Sequence, residues 1–198
     1  MTRVFLIRHG LVLNPDKLFY GPTVPLSEQG HRQIEALRGD LREANANPAI
    51  ILCSPYFRAH KSAEIIAEAF PDAPLTQDER LVEWQVGSWY DKPLKDFYAY
   101  TDYLDHPEQD LPEDIEPLTT CAARIQTVIR DAIINHQDKD IFIVSHREPM
   151  AAAILDYEEK GWGSIHALPL QVASAWELTF EGDETPTSLK LRFDRSGT

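Results

Sequence analysis

A chain of 198 residues with 43% hydrophobic and 10% aromatic content can fill one core and is too short for two full domains. Its net charge of -13 and pI near 4.9 exclude nucleic acid and anionic membranes as partners, since both need clustered Lys and Arg. A small phosphate ester stays open, because it needs only a local positive pocket.

Val4-Phe5-Leu6-Ile7 is an apolar run too short for a signal peptide and suited to a buried strand. It ends at Arg8-His9-Gly10. A Pro- and Gly-rich loop runs from Asn14-Pro15 through Tyr20-Gly21-Pro22 to Pro25-Leu26. Ser27 then caps a helix in which Ile34, Leu37 and Leu41 recur at helical spacing. Residues 49–53 predict a second buried strand, ending at Ser54-Pro55. The next helix has Arg58 in its first turns and Ile65, Ile66 and Ala69 toward the core, with Pro71 and Pro74 as its close. A short segment from Glu79 to Glu83 leads to Trp84.

Residues 91–118 combine aromatics (Phe97, Tyr98, Tyr100, Tyr103) with acids (Asp102, Asp105, Glu108, Asp110, Glu113, Asp114, Glu116). They read as a lid or insertion over the site. A helix over 119–135 precedes a third strand over 140–145, which ends at His146. Residues 173–180 and 188–193 predict closing strands joined by a turn around Gly182-Asp183. No apolar stretch approaches the ~20 residues that span a bilayer. Cys53 and Cys121 lie far apart, in no redox or metal-ligand spacing, and predict reduced thiols in a cytoplasmic chain.

Strands alternating with helices predict an α/β fold: a three-layer α/β/α sandwich around a mainly parallel central sheet, with residues 1–198 as one domain. In such sheets ligands bind outside the carboxyl ends of the strands. His9, Ser54 and His146 all follow strand ends. A lone histidine there is more often structural. Here Arg8 adds a fork for phosphate oxygens, Gly10 permits close backbone approach, and Arg58 opens a helix. Two histidines and two arginines on one edge make a cationic, donor-rich pocket. Phosphoryl transfer without a metal needs that: charge stabilisation at the equatorial oxygens and an in-line nucleophile. The sequence has no Walker motif and no strong metal-ligand cluster.

Leu6-Ile7-Arg8-His9-Gly10 resembles the signature of the histidine phosphatase superfamily, the phosphoglycerate-mutase-like proteins. Further likeness follows in order: Tyr20-Gly21 with residues 24–30, Ser54-Pro55-Tyr56-Phe57-Arg58, Leu81-Val82-Glu83 with Gly87-Ser88-Trp89, and Val144-Ser145-His146. The resemblance covers about three quarters of the chain. It implies that neutral His9 attacks phosphorus, that Arg8, Arg58 and His146 hold the phosphoryl group, and that Glu83 is the proton donor and later helps activate water. A partly buried site beside Trp84 would raise the Glu83 pKa as that work requires. No cofactor and no metal are implied. The expected partner is a small phosphorylated substrate, and a homodimer stays open. Asn14, Gly21 and Arg147 join Arg8, Arg58 and His146 as expected substrate contacts. Ser54 either caps its helix or faces the pocket.

Two positions depart from the family pattern. Leu11 stands where Glu or Gln is frequent, and Arg147-Glu148-Pro149 follows the second histidine where small residues are frequent. Arg147 either adds positive charge near substrate or pairs with an acid such as Glu148. Trp84, Trp89, Tyr90 and the tyrosines of 91–118 form either an aromatic wall for the leaving group or the core of the lid. The compact chain and acidic lid favour a phosphatase over a mutase. A non-catalytic phosphate or phosphopeptide binder on the same scaffold is the remaining alternative.

Overall fold

The computed structural model describes residues 1–101, 103, 106–107, 111–182, 185–195 and 197. Strand β1 (Thr2–Arg8) is followed by helix α1 (Glu28–Glu43), β2 (Pro48–Cys53), α2 (Phe57–Ala67) and β3 (Leu75–Gln77). Then come α3 (Leu94–Thr101), α4 (Leu118–Asn135), β4 (Asp140–Ser145), α5 (Arg147–Tyr157), β5 (Ser174–Phe180) and β6 (Ser188–Asp194). One sheet runs in the order β3-β2-β4-β1-β5-β6. The β3-β2-β4-β1 half is parallel, and β5 and β6 are antiparallel to their neighbours.

Both faces of the central strands are covered, which is why they read as unbroken apolar runs. Side chains alternate along a strand. Phe5, Ile7, Phe142 and Val144 pack on one face with Ile34, Leu37 and Leu41 of α1 and Ile65 and Ile66 of α2. Val4, Leu6, Ile141 and Ile143 pack on the other with Ile125, Val128 and Ile129 of α4 and the alanine-rich face of α5. The result is the expected α/β/α layering. No helix among the described residues is long and apolar enough to cross a membrane. Cys53 and Cys121 are free, buried thiols.

Ser27 caps α1 as expected, its Oγ accepting from Gly30 N at 3.0 Å and donating to the Leu11 carbonyl at 3.2 Å. Some boundaries differ from expectation. Helix α2 stops at Ala67, before Pro71, because the chain turns through Ala67–Phe70 with Phe70 N donating to the Ala67 carbonyl. Ala69 therefore lies outside the helix and is only half-buried. Strand β3 was not legible: it has three residues, two of them exposed polar ones. Strand β5 begins one residue late, because Ala173 takes a left-handed φ of 53°. Of the expected lid acids, Asp102, Asp105, Glu108 and Asp110 lie outside the described residues, as does Asp183 of the expected closing turn.

Candidate active site

Strands β2, β4 and β1 are adjacent, so their carboxyl ends form one ledge. His9 N donates to the Ser145 carbonyl at 3.2 Å, and Ser54 N donates to the Val144 carbonyl at 3.0 Å. These bonds set His9, Ser54 and His146 side by side. The rings of His9 and His146 meet edge to face, with centroids 5.1 Å apart.

His9 is 1% exposed. Its Nδ1 lies 2.8 Å from the Gly10 carbonyl, which can only accept, so Nδ1 carries the ring proton. Nε2 keeps its lone pair and takes a hydrogen bond from Arg58 Nε at 3.2 Å. Burial, with Arg58 and Arg8 close by, holds the His9 pKa well below its ordinary value. Near neutral pH the ring is an uncharged base whose Nε2 lone pair faces the Arg58 guanidinium.

Gly10 permits a close backbone approach as expected, and the backbone that approaches is that of Gly30. A Cβ there would sit 2.5 Å from the Gly30 carbonyl, and a Cβ on Gly30 would sit 2.0 Å from the Leu11 carbonyl. The two glycines let α1 press against the loop after β1. Gly10 N donates to Ser62 Oγ at 3.2 Å, and Leu11 N donates to Gln33 Oε1 at 3.1 Å. The Leu11 backbone is thus held by α1.

Arg58, the second residue of α2, is wholly buried. Its Nη1 donates to the Gly21 carbonyl at 3.0 Å, and the guanidinium lies over the Tyr20 ring at 4.7 Å and the Tyr56 ring at 5.2 Å. Nη2 has no hydrogen-bond partner. Arg8 donates from Nη1 to the Leu170 carbonyl at 2.7 Å, and its buried Nε is unpartnered. Tyr20 and Ser62 were not anticipated, since nothing in the sequence pairs them with Arg58 and Gly10.

His146 Nε2 lies 2.8 Å from Ser54 Oγ, which also accepts from Tyr56 N at 3.2 Å. Ser54 therefore faces the second histidine and does not cap α2, whose N-cap position is Tyr56 with no side-chain cap bond. His146 Nδ1 is buried without a hydrogen-bond partner, 3.6 Å from Glu83 Oε2. Burial and the cation of Arg58 push the His146 pKa well down.

Glu83 follows the 3-10 turn Glu79–Leu81, with its side chain 18% exposed. Oε1 accepts from Trp84 N at 2.9 Å, and Oε2 lies 3.7 Å from Arg58 Nη2. Its pKa is raised to about 7, mainly by burial and then by the nearby Glu148, against the pull of Arg58. Burial acts as expected, but the Trp84 N–H works in the opposite direction.

Two buried donors, Arg8 Nε and Arg58 Nη2, and the buried His146 Nδ1 lack partners in this one place. Unpaired buried donors are costly and rare in native proteins. Together they suit a tetrahedral oxyanion. His9, Glu83 and His146 also bring ligand atoms within 4.8 Å of one another, as a metal site would. Arg58 donates to the His9 nitrogen such an ion would use, so a divalent cation would face a guanidinium. The set fits an anion better.

A cavity of about 190 Å³ opens beside these groups, walled by Tyr20, Trp84, Tyr90, Tyr98 and Tyr103 and edged by Arg8, Glu83, Arg147 and Glu148. The aromatics also form a packed cluster: Trp84 stacks on Tyr103 at 4.9 Å, and Phe97 meets Phe19, Trp84 and Trp89 edge to face. Trp84, Tyr90, Tyr98 and Tyr103 both pack in the cluster and line the cavity, whereas Trp89 and the exposed Tyr100 do not line it. Asn14 is not among the residues lining the cavity. Its amide is taken up by Leu18, accepting from Leu18 N at 3.2 Å and donating to the Leu18 carbonyl at 3.0 Å. Gly21 offers its carbonyl to Arg58, an acceptor that orients the cation and would repel phosphate oxygens. Arg147 reaches the cavity, but its fork is engaged: Nη1 with Glu148 Oε1 at 3.1 Å and Nη2 with the Ile165 carbonyl at 2.9 Å.

The model of the histidine phosphatase superfamily (branch 1) matches residues 4–192. The chain belongs to this superfamily. It is 27% identical over 185 residues to the 5''-phosphoribostamycin phosphatase of Niallia circulans, covering 87% of this chain and 85% of that one. Its fold matches Bacillus stearothermophilus YhfR at a TM-score of 0.83 and 20% identity, over 100% of this chain and 98% of the other. It matches a mycobacterial glucosyl-3-phosphoglycerate phosphatase at 0.79 and 21%, over 96% of each chain. Phosphatases thus recur among the relatives of this histidine phosphatase superfamily member.

Proposed function

We propose that the protein is a metal-independent phosphomonoesterase working through a phosphohistidine on His9, with residues 1–198 as one catalytic unit and 91–118 as its lid. The convergence of the unpartnered Arg8 Nε, Arg58 Nη2 and His146 Nδ1 on a neutral His9 carries this reading. In the first step the His9 Nε2 lone pair attacks phosphorus. The phosphorus–oxygen ester bond breaks, and the leaving oxygen takes the proton of Glu83. Phosphoryl oxygens replace His9 Nε2 as acceptor for Arg58 and engage Arg8. With Ser54 donating to His146 Nε2, His146 Nδ1–H also points at them. In the second step water attacks phosphorus, the nitrogen–phosphorus bond breaks, and Glu83 takes the proton of the water. Inorganic phosphate leaves, with His9 neutral and Glu83 protonated again.

A binder would need neither a neutral buried nucleophile nor a carboxyl poised near pH 7. A mutase would need cations around the rest of a bisphosphate, and Arg147 is already engaged. Phosphate release from p-nitrophenyl phosphate in the presence of EDTA tests the reading. Wild type turns over, and His9→Ala does not. Loss of activity with EDTA, or wild-type turnover by His9→Ala, contradicts it.

A further inference from the structure

Of the groups assigned to the phosphate, Arg8 and Glu83 line the cavity, and most of its wall is left for the rest of a substrate. In that wall Tyr103 is 1% exposed, and its hydroxyl is buried without a hydrogen-bond partner. Its ring is fixed by stacking on Trp84, edge-to-face contact with His166 at 5.0 Å, and His166 Nε2 against its own carbonyl at 3.0 Å. A buried phenol held this firmly and left unpaired has a partner to come. Glu148, from the first turn of α5, edges the same cavity with its side chain 21% exposed.

Resting on the phosphatase reading, the geometry points to a leaving-group subsite, formed by Tyr103, Glu148 and the aromatic wall, for a hydroxylated ring without a carboxylate: a sugar phosphate. Arg8 and Arg147 are the cations lining the cavity among the described residues. Arg8 faces the phosphoryl group, and both ends of the Arg147 fork are engaged. A carboxylate on the leaving group would meet cations already committed, Arg8 to the phosphoryl group and Arg147 to Glu148 and the Ile165 carbonyl. A ring hydroxyl can donate to Glu148 and accept from Tyr103, while its C–H faces lie against Trp84, Tyr90 and Tyr98. The volume of about 190 Å³ lies below the ~300–1,000 Å³ of drug-sized pockets and suits one small ring.

Steady-state phosphate release decides this, comparing ribose 5-phosphate and glucose 6-phosphate with 3-phosphoglycerate, and p-nitrophenyl phosphate as reference. At least one sugar phosphate should exceed 3-phosphoglycerate in kcat/KM by about tenfold or more, the size of one lost or unpaired polar contact. Tyr103→Phe should lower the ratio of sugar phosphate to p-nitrophenyl phosphate by about fivefold to tenfold. Glu148→Gln should narrow the gap between sugar phosphate and 3-phosphoglycerate. Equal or faster turnover of 3-phosphoglycerate by wild type, or an unchanged ratio in Tyr103→Phe, overturns the subsite and leaves the phosphatase reading standing. Failure of wild type to release phosphate even from p-nitrophenyl phosphate overturns both.

Discussion

Arg58 donates its Nε hydrogen to His9 Nε2 across 3.2 Å, tying the nucleophilic nitrogen to the cation beside it. The bond holds the imidazole in place and keeps it unprotonated. On the proposed mechanism, substrate must draw the hydrogen from nitrogen to a phosphate oxygen before attack. Arg58 can make that exchange because its other donors set its position: Nη1 is fixed on the Gly21 carbonyl, and Nη2 is unpartnered.

On the proposed mechanism Arg58 is kept for catalysis at a cost in stability. A wholly buried guanidinium with an unpaired donor costs folding free energy. Arg58→Met should reduce kcat/KM by about 100-fold or more, the usual loss when an electrostatic donor to the transition state is removed. Its thermal midpoint should hold or rise. Paired kinetics and calorimetry check this, and a large fall in midpoint would show that Arg58 is chiefly structural.

Glu83 sets an alkaline limb. Its pKa near 7 means the proton for the leaving group is present below that pH and is lost as pH rises through it. For alkyl phosphates kcat/KM should fall above pH 7, while aryl phosphates, whose leaving groups need less protonation, should fall less. Glu148 raises this pKa, whereas Arg58, Arg8 and the Trp84 N–H lower it. Glu148→Gln should therefore move the limb to lower pH. The same shift touches stability. A carboxyl whose folded pKa is raised favours the folded state below its ordinary pKa, and that contribution is lost as pH rises through 7. A pH–rate profile with no limb between 6 and 8 would remove Glu83 as the acid.

The backbone around Glu83 is braced from α4. Arg124 donates from Nη1 to the Arg80 carbonyl at 2.7 Å and from Nη2 to the Glu83 carbonyl at 3.2 Å. Its Nε pairs with Glu116 Oε1 at 2.7 Å, and Glu116 Oε2 accepts from Gln85 N at 3.1 Å. Arg124→Met leaves Glu116 without its cation, at a cost of roughly 3 kcal/mol. It should lower kcat more than it raises KM, because it loosens the acid and not the phosphate clamp. Steady-state kinetics with thermal melts check this. An unchanged kcat would show that the 80–85 loop holds itself.

Much of the layout was legible because it depends on residue type and order. The apolar runs of β1 and β4 mark strands covered on both faces, and the ends of those strands place His9 and His146. Ser27 and the spacing of Ile34, Leu37 and Leu41 mark α1. The parts that were not legible depend on pairings between distant segments. Nothing local says that Arg124 holds the carbonyl of Glu83, that Tyr20 stacks on Arg58, or that Gly10 is small for the sake of Gly30. The place of Asn14 has a local reason: an Asn before a Pro-containing turn readily bonds its own loop, here at Leu18. Arg147 and Glu148 were recognisable as a departure from the family, but their shared edge of the cavity was not.

The central claim is that phosphate passes through His9. Wild-type protein mixed with excess phosphomonoester should be quenched in alkali within one turnover and its phosphopeptides mapped. The account predicts an acid-labile, alkali-stable phosphate on the peptide bearing His9, formed as fast as turnover and absent from His9→Ala. Wild-type turnover with no phosphoenzyme, or with the phosphate on a residue other than His9, would contradict it.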